Sequence, residues 1–114
     1  MVEQLIEKVF ALRNASHLAH WKTKSYSQHQ ALGEFYLGII EGVDKYIEAN
    51  QGVFGLIGEV PGEKENIITA IRDDLVWLNE NREAIAKNIP ALENILDELT
   101  GQYMTTLYKL ENLR

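Results

Sequence analysis

The chain has no cysteine, only two prolines and no cluster of Lys or Arg at either end. Each lack removes a class of function. Without cysteine there are no disulfides, thiolate zinc sites, iron–sulfur clusters or cysteine nucleophiles. Crossing a bilayer takes roughly 20 consecutive apolar residues; no stretch here approaches that, so no membrane partner is expected. The opening Met1-Val2-Glu3-Gln4-Leu5-Ile6-Glu7-Lys8 places acids where an export signal needs a positive start and an unbroken apolar run, and the expected location is the cytoplasm. Lys and Arg number 11 against 17 Asp and Glu, a formal charge of −6. Affinity for duplex DNA comes mainly from neutralised phosphates, so nucleic acid is not an expected partner.

What is present is an apolar fraction of 46% in 114 residues, enough for one globular domain over residues 1–114. Pro61 and Pro90 fall between segments whose apolar residues recur at three and four, the signature of amphipathic helices. The pattern predicts four of them. The first runs from Val2 to Lys24, with Val2, Leu5, Ile6, Val9, Phe10 and Leu12 on one face. Ser27 is a suitable N-cap for the second, which runs from Gln28 to Val53. Gly33, Gly38 and Gly42 each weaken that helix by about 1 kcal/mol against Ala; close approach of another helix and simple tolerance both account for them. The stretch from Gly52 to Gly62 has loop chemistry yet is apolar, and reads as a packed crossover. Helix three is expected over Glu63 to Lys87, and Pro90 starts helix four, whose stripe includes Leu92, Ile95, Leu96, Leu99, Tyr103, Leu107 and Leu110. The expected fold is all-α: a four-helix bundle of ferritin-like type with a crossover between helices two and three. An up-and-down bundle is the alternative.

All three histidines, His17, His20 and His29, lie within the first 29 of the 114 residues. At roughly 100° per residue, His20 lines up with Val2 and Val9 at the middle of the apolar face of helix one. His29 shares an azimuth with Ile47 on helix two, so the two imidazoles can meet across the turn. A core imidazole needs its nitrogens occupied. Either backbone and hydroxyl partners satisfy them, or a metal with carboxylates does. Asp44 and Glu48, four apart on helix two, border the apolar face, and a cation would relieve their repulsion. A di-iron site inside one bundle needs Glu-x-x-His on two helices, and the sequence has none. Nucleophile-elbow and phosphate-loop motifs are absent as well.

The pattern His20-Trp21, His29 and Asp44-x-x-x-Glu48 resembles the Dps-like mini-ferritins, in which a His-Trp pair ends helix one and a second His opens helix two. An Asp-x-x-x-Glu pair then follows fifteen residues on, as from His29 to Asp44 here. The resemblance implies His20 and His29 as metal ligands from one subunit, with Asp44 and Glu48 offered by its twofold-related copy. It further implies iron as the metal, with zinc as the other option, Fe²⁺ oxidation by peroxide or dioxygen, Trp21 as a nearby electron donor, and a homo-oligomer built on a twofold dimer. Three departures mark a trimmed relative: Gly33 stands where the family has an acid, the His20 to His29 gap is about three residues short, and no Lys-rich tail follows helix four. The alternative is a non-enzymatic helical scaffold that keeps the assembly and has lost the chemistry. Leu18, opposite the apolar face of helix one, and Val76 and Trp77, off the stripe of helix three, are apolar groups left for a partner.

Overall fold

The computed structural model describes residues 1–64 and 66–113. They form four helices in the expected order: α1 (Val2–Lys22), α2 (Tyr26–Phe54), α3 (Ile67–Ala86) and α4 (Pro90–Asn112). No strand occurs among the described residues, so the all-α, four-helix expectation holds. The chain divides into two compact units, Met1–Glu63 and Lys64–Arg114, and each contains one helical hairpin.

In the first unit α1 ends at Lys22, two residues earlier than expected. Thr23 has left helical geometry at ψ 145° and donates its backbone N–H to the Ala19 carbonyl. The cap of α2 is Ser25 rather than Ser27. The Ser25 hydroxyl accepts from the Gln28 N–H at 3.3 Å, satisfying one of the donors that every helix start leaves over. Thr23 reinforces the turn, since its hydroxyl accepts from the Ser25 N–H and donates to the Gln28 side-chain oxygen. Ser27 hydrogen-bonds Ser25 through its hydroxyl instead. The seam between α1 and α2 buries Ile6, Ser16 and Val43.

Helix α2 persists through Phe54 and stops at Gly55, whose φ of 87° is a conformation that glycine adopts freely. The following segment folds back on its own hairpin. The Gly58 N–H donates to the Glu3 carboxylate at 2.9 Å and the Ile57 N–H to the Gln51 side chain at 3.1 Å. Val60 is buried. The expectation of a packed loop is met only in part: Val60 and half-buried Ile57 lie against the unit, whereas Val53, Phe54 and Leu56 are exposed. The Gly58 N–H also holds the Glu3 carboxyl below its ordinary pKa.

In the second unit α3 begins at Ile67, not Glu63. Glu63 belongs to a turn in which its N–H donates to the Val60 carbonyl and its carboxylate accepts from the Val60 N–H. The cap is Asn66, accepting from the Thr69 N–H at 3.1 Å. The end at Ala86 is set by Lys87 and Asn88, both left-handed at φ 54° and 58°. Pro90 occupies the first turn of α4, where its missing N–H has no partner to lose. The seam of this hairpin buries Leu78 and Ala86 and is clamped by Arg82, which donates to both Asp97 oxygens at 2.8 and 2.9 Å and to Glu93 at 2.9 Å. Two-pronged pairing with Arg82 holds the Asp97 carboxyl below its ordinary pKa.

Candidate functional site

The last turn of a helix leaves its carbonyls without intrahelical donors, and His20 lies in the last turn of α1. Its carbonyl is taken by the other hairpin arm. His29 Nδ1 donates to the His20 carbonyl at 2.8 Å, and His20 Nδ1 donates to the His29 carbonyl at 2.5 Å. The exchange is reciprocal. Because a carbonyl oxygen only accepts, each ring must carry its proton on Nδ1, which leaves both Nε2 lone pairs uncommitted. The rings lie face to face with centroids 3.6 Å apart and planes 18° from parallel. Despite the shortened gap, the structure brings His20 and His29 together.

Gly33 is part of this arrangement. A Cβ there would stand 3.1 Å from His20 Cε1 and 3.3 Å from its Nδ1. Any side chain at this position would press on the His20 ring, which must give by a few tenths of an ångström to admit it. At Gly38 and Gly42, by contrast, a Cβ would meet nothing within 4 Å.

A second aromatic layer sits beside the pair. His17 stacks on Tyr36 with centroids 4.0 Å apart and lies 4.1 Å from Trp21, while the Arg13 guanidinium stands 5.3 Å from the Tyr36 ring. Partial burial lowers the His17 pKa, with help from the charges of Arg13 and His20. A neutral imidazole is thus favoured in the stack. Arg13, His17 and Trp21 follow one another at i, i+4, a spacing that places them on one strip of α1. That spacing was the available signal for the layer.

Asp44 and Glu48 are exposed on α2. Fifteen residues of helix separate His29 from Asp44, about 22 Å along the axis at 1.5 Å per residue. Within one chain the carboxylates and imidazoles do not meet. Among the described residues no group of three or more His, Asp or Glu side chains is placed to hold a metal ion. The histidine pair by itself does not fit one ion either. A metal bound to an imidazole lies in the ring plane about 2 Å from nitrogen, and two stacked, near-parallel rings have no such point in common.

The first unit also carries an apolar groove of about 360 Å³, lined by Ile6, Phe10, Val43, Ile47, Ile57 and Val60 among others. It offers shape and apolar contact without a constellation for catalysis. No helix of the described residues is long and apolar enough to cross a membrane.

Among known proteins, the chain is 25% identical over 96 residues to an uncharacterized 14.6 kDa protein from the mobD–ri intergenic region of Enterobacteria phage T4, covering 82% of this chain and 75% of the phage protein. It is 35% and 34% identical over 109 residues to the 1-deoxy-D-xylulose-5-phosphate synthases of Geobacillus thermodenitrificans and of Geobacillus sp. strain WCH70. Those matches cover 91% of this chain but only 17% of each synthase. No solved structure matches the chain. Residues 20–110 match the model of a family of unknown function, DUF5856, and the chain belongs to that family.

Proposed function

We propose that the chain is a non-enzymatic helical assembly protein that associates with further copies of itself, its histidine pair fastening the α1–α2 turn. One observation carries this reading. Large apolar side chains stand exposed away from the seam of each hairpin, including the three singled out in the sequence: Leu18, Val76 and Trp77, at 49%, 55% and 56% exposure. A single exposed Leu is ordinary, but exposed large apolar side chains recur along every helix, from Leu5, Phe10, Leu12 and Trp21 on α1 to Leu99, Met104 and Tyr108 on α4. The histidines support the same reading, because their stacked, near-parallel rings share no point at which one ion could bind both. Light scattering at micromolar concentration with EDTA tests it. The expected mass is a multiple of 13.0 kDa; the mass of a single chain overturns the reading.

A second reading keeps metal chemistry: iron, or zinc, bound through His20 and His29 with Asp44 and Glu48 of another copy. One feature favours it. Histidine ligands commonly donate Nδ1–H to a carbonyl so that Nε2 faces the metal, and both rings are held in that tautomer. For both to serve, at least one must turn out of the stack. Metal binding would then raise the melting temperature of wild type but not of His20→Ala. Equal shifts in the two proteins exclude His20 as a ligand.

A further inference from the structure

Viewed down its axis, α2 turns one side to α1 and another away from it. His29, Gly33 and Tyr36, which meet α1, and the buried Val43 mark the first side. Ala31, Gly38, Gly42 and Ala49 form a strip about 150° around the helix from them, at roughly 100° per residue. All four are exposed. At Gly38 and Gly42 the space that a side chain would take is empty. Two glycines one turn apart inside a helix each cost about 1 kcal/mol of helix propensity. They also let another helix backbone approach closely, the packing use of a Gly-x-x-x-Gly pair.

The order of residues along this face says what that other helix is. Each rim carries one chemistry. Glu34 and Lys45 border the strip on one side, Phe35 and Tyr46 on the other, and all four are exposed. A twofold axis between antiparallel helices keeps each rim facing the same rim of the copy. With the axis level with residue 40, Gly38 meets Gly42 of the copy, and Ala31 meets Ala49. The same register sets Glu34 opposite Lys45 of the copy on the polar rim and Phe35 opposite Tyr46 on the aromatic rim. Small residues face small ones and opposite charges face each other, all within about 27 Å of helix at 1.5 Å per residue. The face is complementary to itself, as an isologous interface must be.

We propose that two copies pair through antiparallel α2 helices in this register, Gly38 against Gly42. The proposal rests on the self-assembly reading above and deepens it by naming the surface. This surface is distinct from the flank that carries Asp44 and Glu48, which lie about 100° or more around α2 from the strip. The pairing therefore stands or falls without the metal reading.

The chain has no native cysteine, so introduced ones report cleanly. Ala31→Cys and Ala49→Cys, prepared separately, mixed and oxidised, should give a disulfide-linked dimer, while each alone gives little. A parallel pairing would instead link each variant to itself, and that result overturns the proposal. Gly38→Leu should raise the dimer dissociation constant at least about tenfold, since a side chain then fills the approach. Leu favours helix more than Gly does, so loss of folding does not confound the result, and circular dichroism confirms it. Glu34→Lys or Lys45→Glu alone should weaken the dimer, and both in one chain should restore it. An assembly that forms unchanged in Gly38→Leu and gives no mixed disulfide overturns this interface while leaving self-assembly intact. A monomer at every concentration overturns both and leaves the face to a different protein.

Discussion

Replacing Gly33 by Ala sets two effects of known sign against each other. In an open helix interior the change stabilises by about 1 kcal/mol. Here the new Cβ would lie 3.1 Å from His20 Cε1. The ring cannot simply retreat, because His29 is stacked on it and its Nδ1 is bonded to the His29 carbonyl. The few tenths of an ångström by which it must give strain the reciprocal pair, two hydrogen bonds worth about 0.5–1.5 kcal/mol each. Both are solvent-accessible, so about 1–2 kcal/mol is the reasonable loss. The balance is a protein between unchanged and about 1 kcal/mol less stable, against the gain expected from propensity alone. In a His20→Ala background the obstruction is gone, and Gly33→Ala should stabilise by the full ~1 kcal/mol. Urea unfolding of the four proteins, at one fixed concentration because assembly links stability to concentration, gives the coupling energy. The structure requires about 1–2 kcal/mol. Gly33→Ala stabilising equally in both backgrounds would refute the close approach.

Ser25→Ala should cost about 1 kcal/mol by removing the α2 cap, whereas Ser27→Ala should cost clearly less; the same unfolding assay separates them. Because Asp97 has its pKa lowered by Arg82, its contribution is complete above the unfolded value near 3.9 and disappears as pH falls through the lower folded value. Asp97→Asn should therefore flatten the fall in melting temperature below about pH 4, and an unchanged slope would count against the clamp. Glu3, held down by the Gly58 N–H, behaves with the same sign, so Glu3→Gln should leave the 55–63 segment more open to limited proteolysis. Duplex DNA should not be retained in a gel shift at about 0.15 M salt, where a chain of net charge −6 offers little counterion release.

Most of the secondary structure was legible because its signals are local. Three-and-four periodicity located every helix, and Pro90 fixed the start of α4. The boundaries that moved did so where side chains compete to cap. Ser25 and Ser27 both suit the N-cap, and only the Thr23 contacts select the first. Glu63 continues the helical pattern of α3, but the Pro61-Gly62 turn takes it and leaves Asn66 as the cap. The meeting of His20 and His29 was also legible, since both lie on inward faces beside a short link. What the sequence withheld was the use of their nitrogens. A metal and a pair of carbonyls satisfy an imidazole equally well, and only the fold shows that each ring reaches the other's backbone. Gly33 illustrates the same limit: it departs from a metal-site pattern in the sequence, whereas in the structure it makes room for a ring.

Both imidazoles are committed to backbone through Nδ1. Nitrogen-15 NMR of the histidine rings near neutral pH, without metal, reads this directly by reporting which nitrogen carries the proton. The predicted result is the Nδ1–H tautomer for both His20 and His29, with both signals altered together in Gly33→Ala. An Nε2–H tautomer at either ring would contradict the reciprocal pair, and with it the assignment of the two histidines to the hairpin's structure.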